Sequence, residues 1–491
     1  MQFFSVRMRM LASSVLFLVF ILGPSQSMFS QYSCQLNGAP EVRTGSIVTG
    51  DTTQSGRVFR DGIPSSCAGG VPSAAPVAGT YHYDQYTFTN PTGQAACVTV
   101  DLDASACGGT ANNSTQINAY SSTFDPANVM TNLVGKPGFS TIGTGSLAFP
   151  VAAGASFVVV VHEVAANGGC ASYTIKVSYR TGCRQAGYDR TNDGKADPTY
   201  FTPSSGTWNI LNSAGGTNSL LFGLAGDIIT PGDYTGDGQT DVSTYRPSAG
   251  TWFYSTSQSS PQTNVTYVPW GAAGDIPVPA DYDKDGKTDV AVWRPSDGTW
   301  YVLRSSNSTV LYQKWGLNGD TPITGDYDGD LAADFGIVRN GASNRQWFIL
   351  NSNFGYGFEY GCPTTVPLCS APLAFGLNSD RLVTGDFDGD LRSDIAVFRP
   401  SDGTWYYLRS NSAVGNAPGA MSGFQWGIAT DIPQPADYDG DKRTDFAVFR
   451  PSSGVWYINN SNNGAYNTFS APVWGSATDQ PASSPYLITN P

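Results

Sequence analysis

Residues 386–394 read DFDGDLRSD, with carboxylates at Asp386, Asp388, Asp390 and Asp394. Like charges this close repel one another unless a positive charge sits between them. The same nine-residue pattern occurs six times. DRTNDGKAD starts at Asp189, DYTGDGQTD at Asp233, DYDKDGKTD at Asp281, DYDGDLAAD at Asp326 and DYDGDKRTD at Asp437. Successive starts are separated by 44, 48, 45, 60 and 51 residues. A pattern that recurs at this period marks a repeat architecture. We number the loops 1–6 in chain order, and their positions 1–9.

More than the aspartates recurs. After each loop comes an apolar run such as DVAVWRPS, DIAVFRPS or DFAVFRPS, then a turn (DGTW, SGVW) and a second run (TWYVLRS, TWYYLRS, VWYINNS). A variable stretch then reaches an aromatic–glycine pair: Phe222-Gly223, Trp270-Gly271, Trp315-Gly316, Phe375-Gly376, Trp426-Gly427 or Trp474-Gly475. Short β-branched and aromatic runs bounded by Gly, Pro, Ser and Asp predict strands. About four strands fit in each unit of ~40–50 residues, the pattern of β-propeller blades. All eleven tryptophans lie at or after Trp208, most at matching repeat positions, and are expected to pack between neighbouring blades.

Alternating carboxylates with a further acid at position 9 suit Ca²⁺, a hard cation that takes about six to eight oxygens. The EF-hand glutamate at position 12 is missing; Val292 or Val397 stands there, inside a predicted strand. The candidate ligands are Asp189, Asp193 and Asp197; Asp233, Asp237 and Asp241; Asp281, Asp283, Asp285 and Asp289; Asp326, Asp328, Asp330 and Asp334; Asp386, Asp388, Asp390 and Asp394; and Asp437, Asp439, Asp441 and Asp445. These 22 are more than half of the 39 acidic residues and outweigh the formal net charge of −13. The acidity therefore belongs to the loops and does not call for a cationic partner. Nucleic-acid binding wants a basic face, which nothing here supplies. Aspartates also make turns with their own backbone, but four in nine residues, repeated, ask for a cation. Loops 1 and 2 carry Thr191 and Thr235 at position 3 and lose a carboxylate. Loops 4–6 have Leu331, Leu391 and Lys442 at position 6, where Gly329, Gly389 and Gly440 two residues earlier are expected to take the positive φ instead. Loop 3, with four aspartates and Gly286, is the strongest single site by these criteria.

The aromatic–glycine pair, the D-x-D-x-D-G-x-x-D-type loop and the β runs together resemble FG-GAP/VCBS repeats, found in integrin α-subunit heads and in exported bacterial proteins. The match covers 184–491. It implies a calcium-braced propeller used for recognition or adhesion, with the metal role on the aspartates named above. Integrin-like heads close with seven blades, whereas six loops are counted here. Six blades are expected, seven being the alternative. The last repeat, WGSATDQPASSPYLI, lacks a loop and is positioned to close the ring on the first blade.

Residues 31–180 contain no Trp and no repeat. Their alternating runs YDQYTFTN, CVTVDLDA, SFVVVVHEV and SYTIKVSY predict a β-sandwich of about eight strands, a jelly roll. It resembles the pre-peptidase C-terminal accessory domains of bacterial exported proteins, which implies a non-catalytic module. Residues 1–27, with Arg7, Arg9 and a short apolar run, read as a secretory signal peptide. The chain is thus expected to be all-β and monomeric, secreted or at the cell surface, with no transmembrane segment. The eight cysteines fit that compartment. Cys362 and Cys369, the only two in the C-terminal half, are expected to pair, while the other six allow 15 connectivities.

Both histidines, His82 and His162, fall in the sandwich, so the propeller holds no Ser–His or Cys–His dyad. The reading is a calcium-binding recognition or adhesion module for an extracellular glycan or protein. The alternatives are a glycan-active hydrolase or lyase and a purely structural spacer. A ligand platform is expected in the longest repeat, where Phe354, Tyr356, Phe358 and Tyr360 alternate beside the cysteine pair.

Overall fold

A computed structural model describes residues 33–59, 65, 67, 75–107, 115–137, 144–184, 187–255, 265–352, 357–358, 372–410, 421–462 and 464–483. Within them the chain is nearly all β, arranged in eight sheets whose neighbouring strands run antiparallel. No described helix is long and apolar enough to cross a membrane.

The first two sheets use β1 (Ser33–Leu36), β2 (Glu41–Ile47), β3 (Thr53–Val58), β4 (Pro76–Thr89), β5 (Ala96–Asp103), β6 (Thr115–Ser121), β7 (Leu133–Gly135), β8 (Thr144–Val151), β9 (Ser156–Glu163) and β10 (Cys170–Arg184). One sheet has the order β1-β10-β5-β8 with β2 also on β10; the other is β3-β4-β9-β6-β7. Ten strands form where about eight were expected, because β1 and β3 are additions, and β10 runs past residue 180. Alternation along the strands sets the core. Val98, Val100, Leu147, Phe149, Ile175 and Val177 from one sheet meet Ile117, Ala119, Phe157 and Val159 from the other. Disulfides Cys67–Cys97 and Cys107–Cys170 staple this region. Both histidines are held structurally: His162 lies between Asn118 and its neighbour's carbonyl, and His82 on the Glu163 carboxylate at 2.8 Å.

Six more sheets of four or five strands follow in the repeat region. The third of them pairs Ile276–Pro277, Val290–Arg294, Thr299–Leu303 and Val310–Lys314 in sequence order, with a nine-residue loop between its first two strands. The first sheet of the six takes its edge strand from the far end of the chain: Gln480–Pro481 pairs with Thr199–Thr202.

The tryptophans explain the repeat. Trp208, Trp252, Trp300, Trp347, Trp405 and Trp456 are fully buried. Each donates its indole N–H to the carbonyl of the aromatic residue before the repeat glycine, at 2.7–2.9 Å. The aromatic–glycine tryptophans then reach the next sheet: Trp270 to Tyr301 O, Trp315 to Phe348 O, Trp426 to Tyr457 O, and Trp474 back to Asn209 O of the first. The glycine is required because its φ is positive (115° at Gly271) and a Cβ there would meet the Tyr245 hydroxyl at 2.8 Å.

Candidate metal centres

The six loops share one backbone. Positions 4 and 6 both take positive φ in every loop: Asn192 and Gly194, Gly236 and Gly238, Lys284 and Gly286, Gly329 and Leu331, Gly389 and Leu391, Gly440 and Lys442. This corrects the expectation that glycine at position 4 substitutes for glycine at position 6. The loop turns left-handed twice, and Leu331, Leu391 and Lys442 adopt φ of 72°, 63° and 72° themselves.

The position-1 carboxylate holds that shape. Asp281 accepts the N–H of Lys284 at 2.6 Å on Oδ1 and that of Gly286 at 2.9 Å on Oδ2. Asp437 does the same with Gly440 and Lys442. Position 9 ties the loop to its sheet: Asp289 accepts from Tyr282 N–H at 2.9 Å and from Ser305 N–H at 2.6 Å. The same serine donates its hydroxyl to the position-5 carboxylate, Asp285, at 2.8 Å. Ser213, Ser352, Ser410 and Ser461 repeat both bonds in their own repeats. This serine clasp was missed in the sequence, although it closes the recurrent LRS and NNS runs. Aspartate turn chemistry is thus present, but each carboxylate oxygen has two lone pairs, so one N–H does not exhaust it.

Main-chain bonds join the loops to one another. The position-8 N–H of each loop donates to the position-1 carbonyl of the preceding one: Thr240 to Asp189, Thr288 to Asp233, Ala333 to Asp281, Ser393 to Asp326, Thr444 to Asp386, and Ala196 back to Asp437. The six bonds, 2.6–2.7 Å long, form a closed circle.

Carboxylate oxygens converge in four of the loops. Asp281, Asp283 and Asp285 form one group; Asp326, Asp328 and Asp334, Asp386, Asp388 and Asp394, and Asp437, Asp439 and Asp445 form the others, with ligand atoms in each within 4.8 Å of one another. Ca–O bonds of about 2.3–2.6 Å allow one ion to touch oxygens up to about 5 Å apart, so the spacing fits. The donor set is all oxygen, as a hard cation wants. Oδ1 of Asp283 is buried without a hydrogen-bond partner. Burial, followed by repulsion from Asp283 and Asp281, pushes Asp289 up to about 9. Burial lifts Asp281 and Asp437 to about 7 and Asp445 to about 9. Asp328, Asp334 and Asp394 are raised well above the usual carboxylate range by the same desolvation and by their neighbours' charge. These are groups that a divalent cation would return to the ionised form.

Among the described residues no such group forms in loops 1 and 2, the two with threonine at position 3. Asp193 there accepts only from Lys195 N–H and the Ser213 hydroxyl. In loop 3 the converging set leaves out Asp289, whereas loops 4–6 use positions 1, 3 and 9. Phe354, Tyr356, Tyr360, Cys362 and Cys369 lie outside the described residues; Phe358 falls in the short strand Gly357–Phe358, of which only the backbone is described.

No protein-family model matches the sequence, and no curated protein matches it. The FG-GAP/VCBS resemblance therefore rests on its motifs. Solved structures similar to the chain include an Agrocybe aegerita lectin recognising non-reducing terminal N-acetylglucosamine (17% identity, 57% of this chain and 77% of that one, TM-score 0.37). Virginiamycin B lyase from Staphylococcus aureus (8%, 58% and 83%, 0.35) and regucalcin from Agrobacterium tumefaciens (10%, 58% and 77%, 0.28) are also similar. At these scores none of them bears on the function argued below.

Proposed function

We propose that the chain is a secreted recognition or adhesion module: a jelly roll joined to a six-bladed β-propeller that is braced by calcium and presents a binding surface to an extracellular glycan or protein. The observation that carries the calcium part is the convergence of three buried or partly buried carboxylates in each of four loops set in one hydrogen-bonded circle. Support for six blades comes from the six members of that circle and from the pairing of the last strand with the first sheet. The strand orders of the two N-terminal sheets, without β1 and β3, support the jelly-roll reading.

Calcium bound in these loops would supply the positive charge that lets their carboxylates stay ionised in a buried position. The chain's own groups do the rest. Position 1 shapes the loop, position 9 and the serine clasp fix it to its sheet, and position 3, joined by position 5 in loop 3 and by position 9 in loops 4–6, completes the oxygen set. The result is a rigid ring, and rigid scaffolds suit recognition because little freedom is lost on binding. Apolar side chains stand out on the outer strands, with Tyr267 70%, Tyr312 61% and Phe469 68% exposed. Between the first two sheets of the repeat region lies a cavity of about 510 Å³ lined by Leu221, Phe222, Leu224, Arg246, Phe253 and Val265. The Arg246 guanidinium there is paired with Asp227, so the apolar walls suit chiefly the apolar face of a ligand.

The test is a glycan-array and matrix-protein screen of the mature protein with calcium and with EDTA, run beside an assay for released reducing sugar. Calcium-dependent capture without turnover supports the reading. Sugar release would replace it with a glycan-active enzyme, and no capture at all would leave a spacer.

A further inference from the structure

The outer face of the first N-terminal sheet is covered. Val98, Val100, Leu147, Phe149, Val177 and Tyr179 point into the sandwich core, so Thr99, Asp101, Ser146, Ala148, Ser178 and Arg180 point the other way. On a free-standing sandwich that polar face would be wet. Instead Thr99, Ser146, Ala148, Ser178 and Arg180 are at most 4% exposed. The Asp loops lie over it. Leu331 and Leu391, at position 6 of loops 4 and 5, form one buried cluster with Cys97 and Ala148, against which Cys67 packs. Lys284, at position 4 of loop 3, bonds Asp330 of loop 4 at 2.7 Å and reaches across to Ser146 at 3.1 Å and Asp101 at 3.4 Å. Arg180 lies near enough for its charge to act on Asp281.

Loop 4 is buried throughout as a result, with Asp326, Asp328, Asp330 and Asp334 at most 4% exposed. The uncapped side of the circle differs: Asn192 and Asp193 of loop 1, Gly236 of loop 2, and Gly440 and Lys442 of loop 6 are exposed. Leucine appears at the left-handed position 6 only in loops 4 and 5, where that side chain packs on the sandwich. A bulky side chain is disfavoured there, and the apolar contact offsets that cost.

We propose that the N-terminal sandwich is a cap whose docking on loops 3–5 is coupled to their ions, so that withdrawing the ions releases the cap and removing the cap exposes the ions. This rests on the calcium reading above. Four carboxylates sealed under the sandwich are tolerable with a divalent ion and the Lys284 ammonium among them. Without the ion they must be hydrated, and water reaches loop 4 only when the cap leaves. Coupling of this kind is reciprocal. Undocking, by a change that touches no carboxylate, therefore weakens and speeds the release of the covered ions.

The test uses the full chain. Bound calcium is counted by equilibrium dialysis, small-angle scattering is recorded with calcium and with EDTA, and chelator-driven calcium release is timed. The same is done for Leu331→Gly with Leu391→Gly, because glycine keeps the positive φ of both positions and loses only the apolar contact. The coupling predicts a larger radius of gyration in EDTA, and a slow release phase in the parent that quickens roughly 5- to 150-fold in the double variant. Leu331→Gly alone, a milder change that likewise touches no carboxylate, should move both readouts the same way by less and guards against a double variant that fails to fold. No bound calcium would overturn the calcium reading and the cap together. Bound calcium with one radius in both conditions, and variants that release it at the parental rate, would overturn the cap alone.

Discussion

Chelation is the perturbation that bears most directly on the four carboxylate groups. Extracellular calcium modules have Kd of about 10⁻⁴–10⁻³ M. At ~1 mM free calcium, mass action then contributes about 0.4–1.4 kcal/mol for each site. Four groups of three carboxylates converge, so the repeat region stands to lose about 2–6 kcal/mol in EDTA if the sites act independently. An unfolding entropy of about 2.1 cal/mol/K per residue over roughly 300 residues converts this to a fall in Tm of about 3–9 °C. Differential scanning calorimetry of the full chain in calcium and in EDTA reads it. The transition of the repeat region should move down by that amount, and the one of the sandwich, which carries no such group among its described residues, should move much less. Superimposable traces would show that the aspartates serve only their backbone hydrogen bonds and that no ion braces the ring.

Three further outcomes are expected. Asp285→Ala should lose more calcium affinity in titration calorimetry than Asp193→Ala, because Asp285 belongs to a converging group and Asp193 does not; the reverse order refutes ranking the loops by carboxylate convergence. Ser305→Ala removes the hydroxyl bond to Asp285 but keeps the N–H bond to Asp289, so chemical denaturation should show a loss of about 1 kcal/mol with a reduced calcium affinity, and an unchanged affinity would make the clasp purely structural. The ion-free protein should lose stability as pH rises. Burial pushes Asp281 and Asp437 up to about 7 and Asp289 and Asp445 up to about 9 in the folded chain, against about 3.9 for an aspartate in water, so the folded chain holds protons that unfolding releases. That contribution is full below about pH 4 and lost as pH rises through about 7–9. Calcium binding needs the ionised carboxylates and has the opposite sign, so the gap in Tm between calcium and chelator should widen from about pH 6 to about pH 9; a gap that narrows contradicts the assignment.

What the sequence revealed, and what it hid, follows from where each signal is written. The loops and their flanking strands are local, and a period repeated six times carries them plainly. The forks that tie five of the six repeats together are not local. Arg294 donates from Nε and Nη2 to both oxygens of Asp275, and Arg246–Asp227, Arg339–Asp320, Arg399–Asp380 and Arg450–Asp431 repeat this at a constant separation of 19 residues. Each arginine also lies over an aromatic ring, Tyr301 for Arg294 at 4.3 Å. The residues stand in full view in the GDIP and WRP runs, but nothing in one repeat says that they meet until the hairpin brings them together.

The departures among the loops are the harder case, because read alone they look like defects. Glycine at position 4 leaves room where a long cation at position 7 of the next loop crosses it: a Cβ on Gly236 would meet Lys287 at 2.6 Å, and one on Gly389 would meet Arg443 at 2.8 Å, so the cation would have to shift. Loop 3 carries Lys284 at that position instead, and the next loop carries the small Ala332 at position 7. The cation has changed places across the junction. In its usual place it covers the preceding loop; from position 4 it reaches Asp330 and the sandwich. Leucine for glycine at position 6 of loops 4 and 5 belongs to the same exchange, since both changes fall where the ring meets the other domain. A departure at positions 4 and 6, unlike the threonine at position 3 of loops 1 and 2, is thus a poor guide to lost metal binding and, in loops 3–5, a good one to the surface on which the repeat is used.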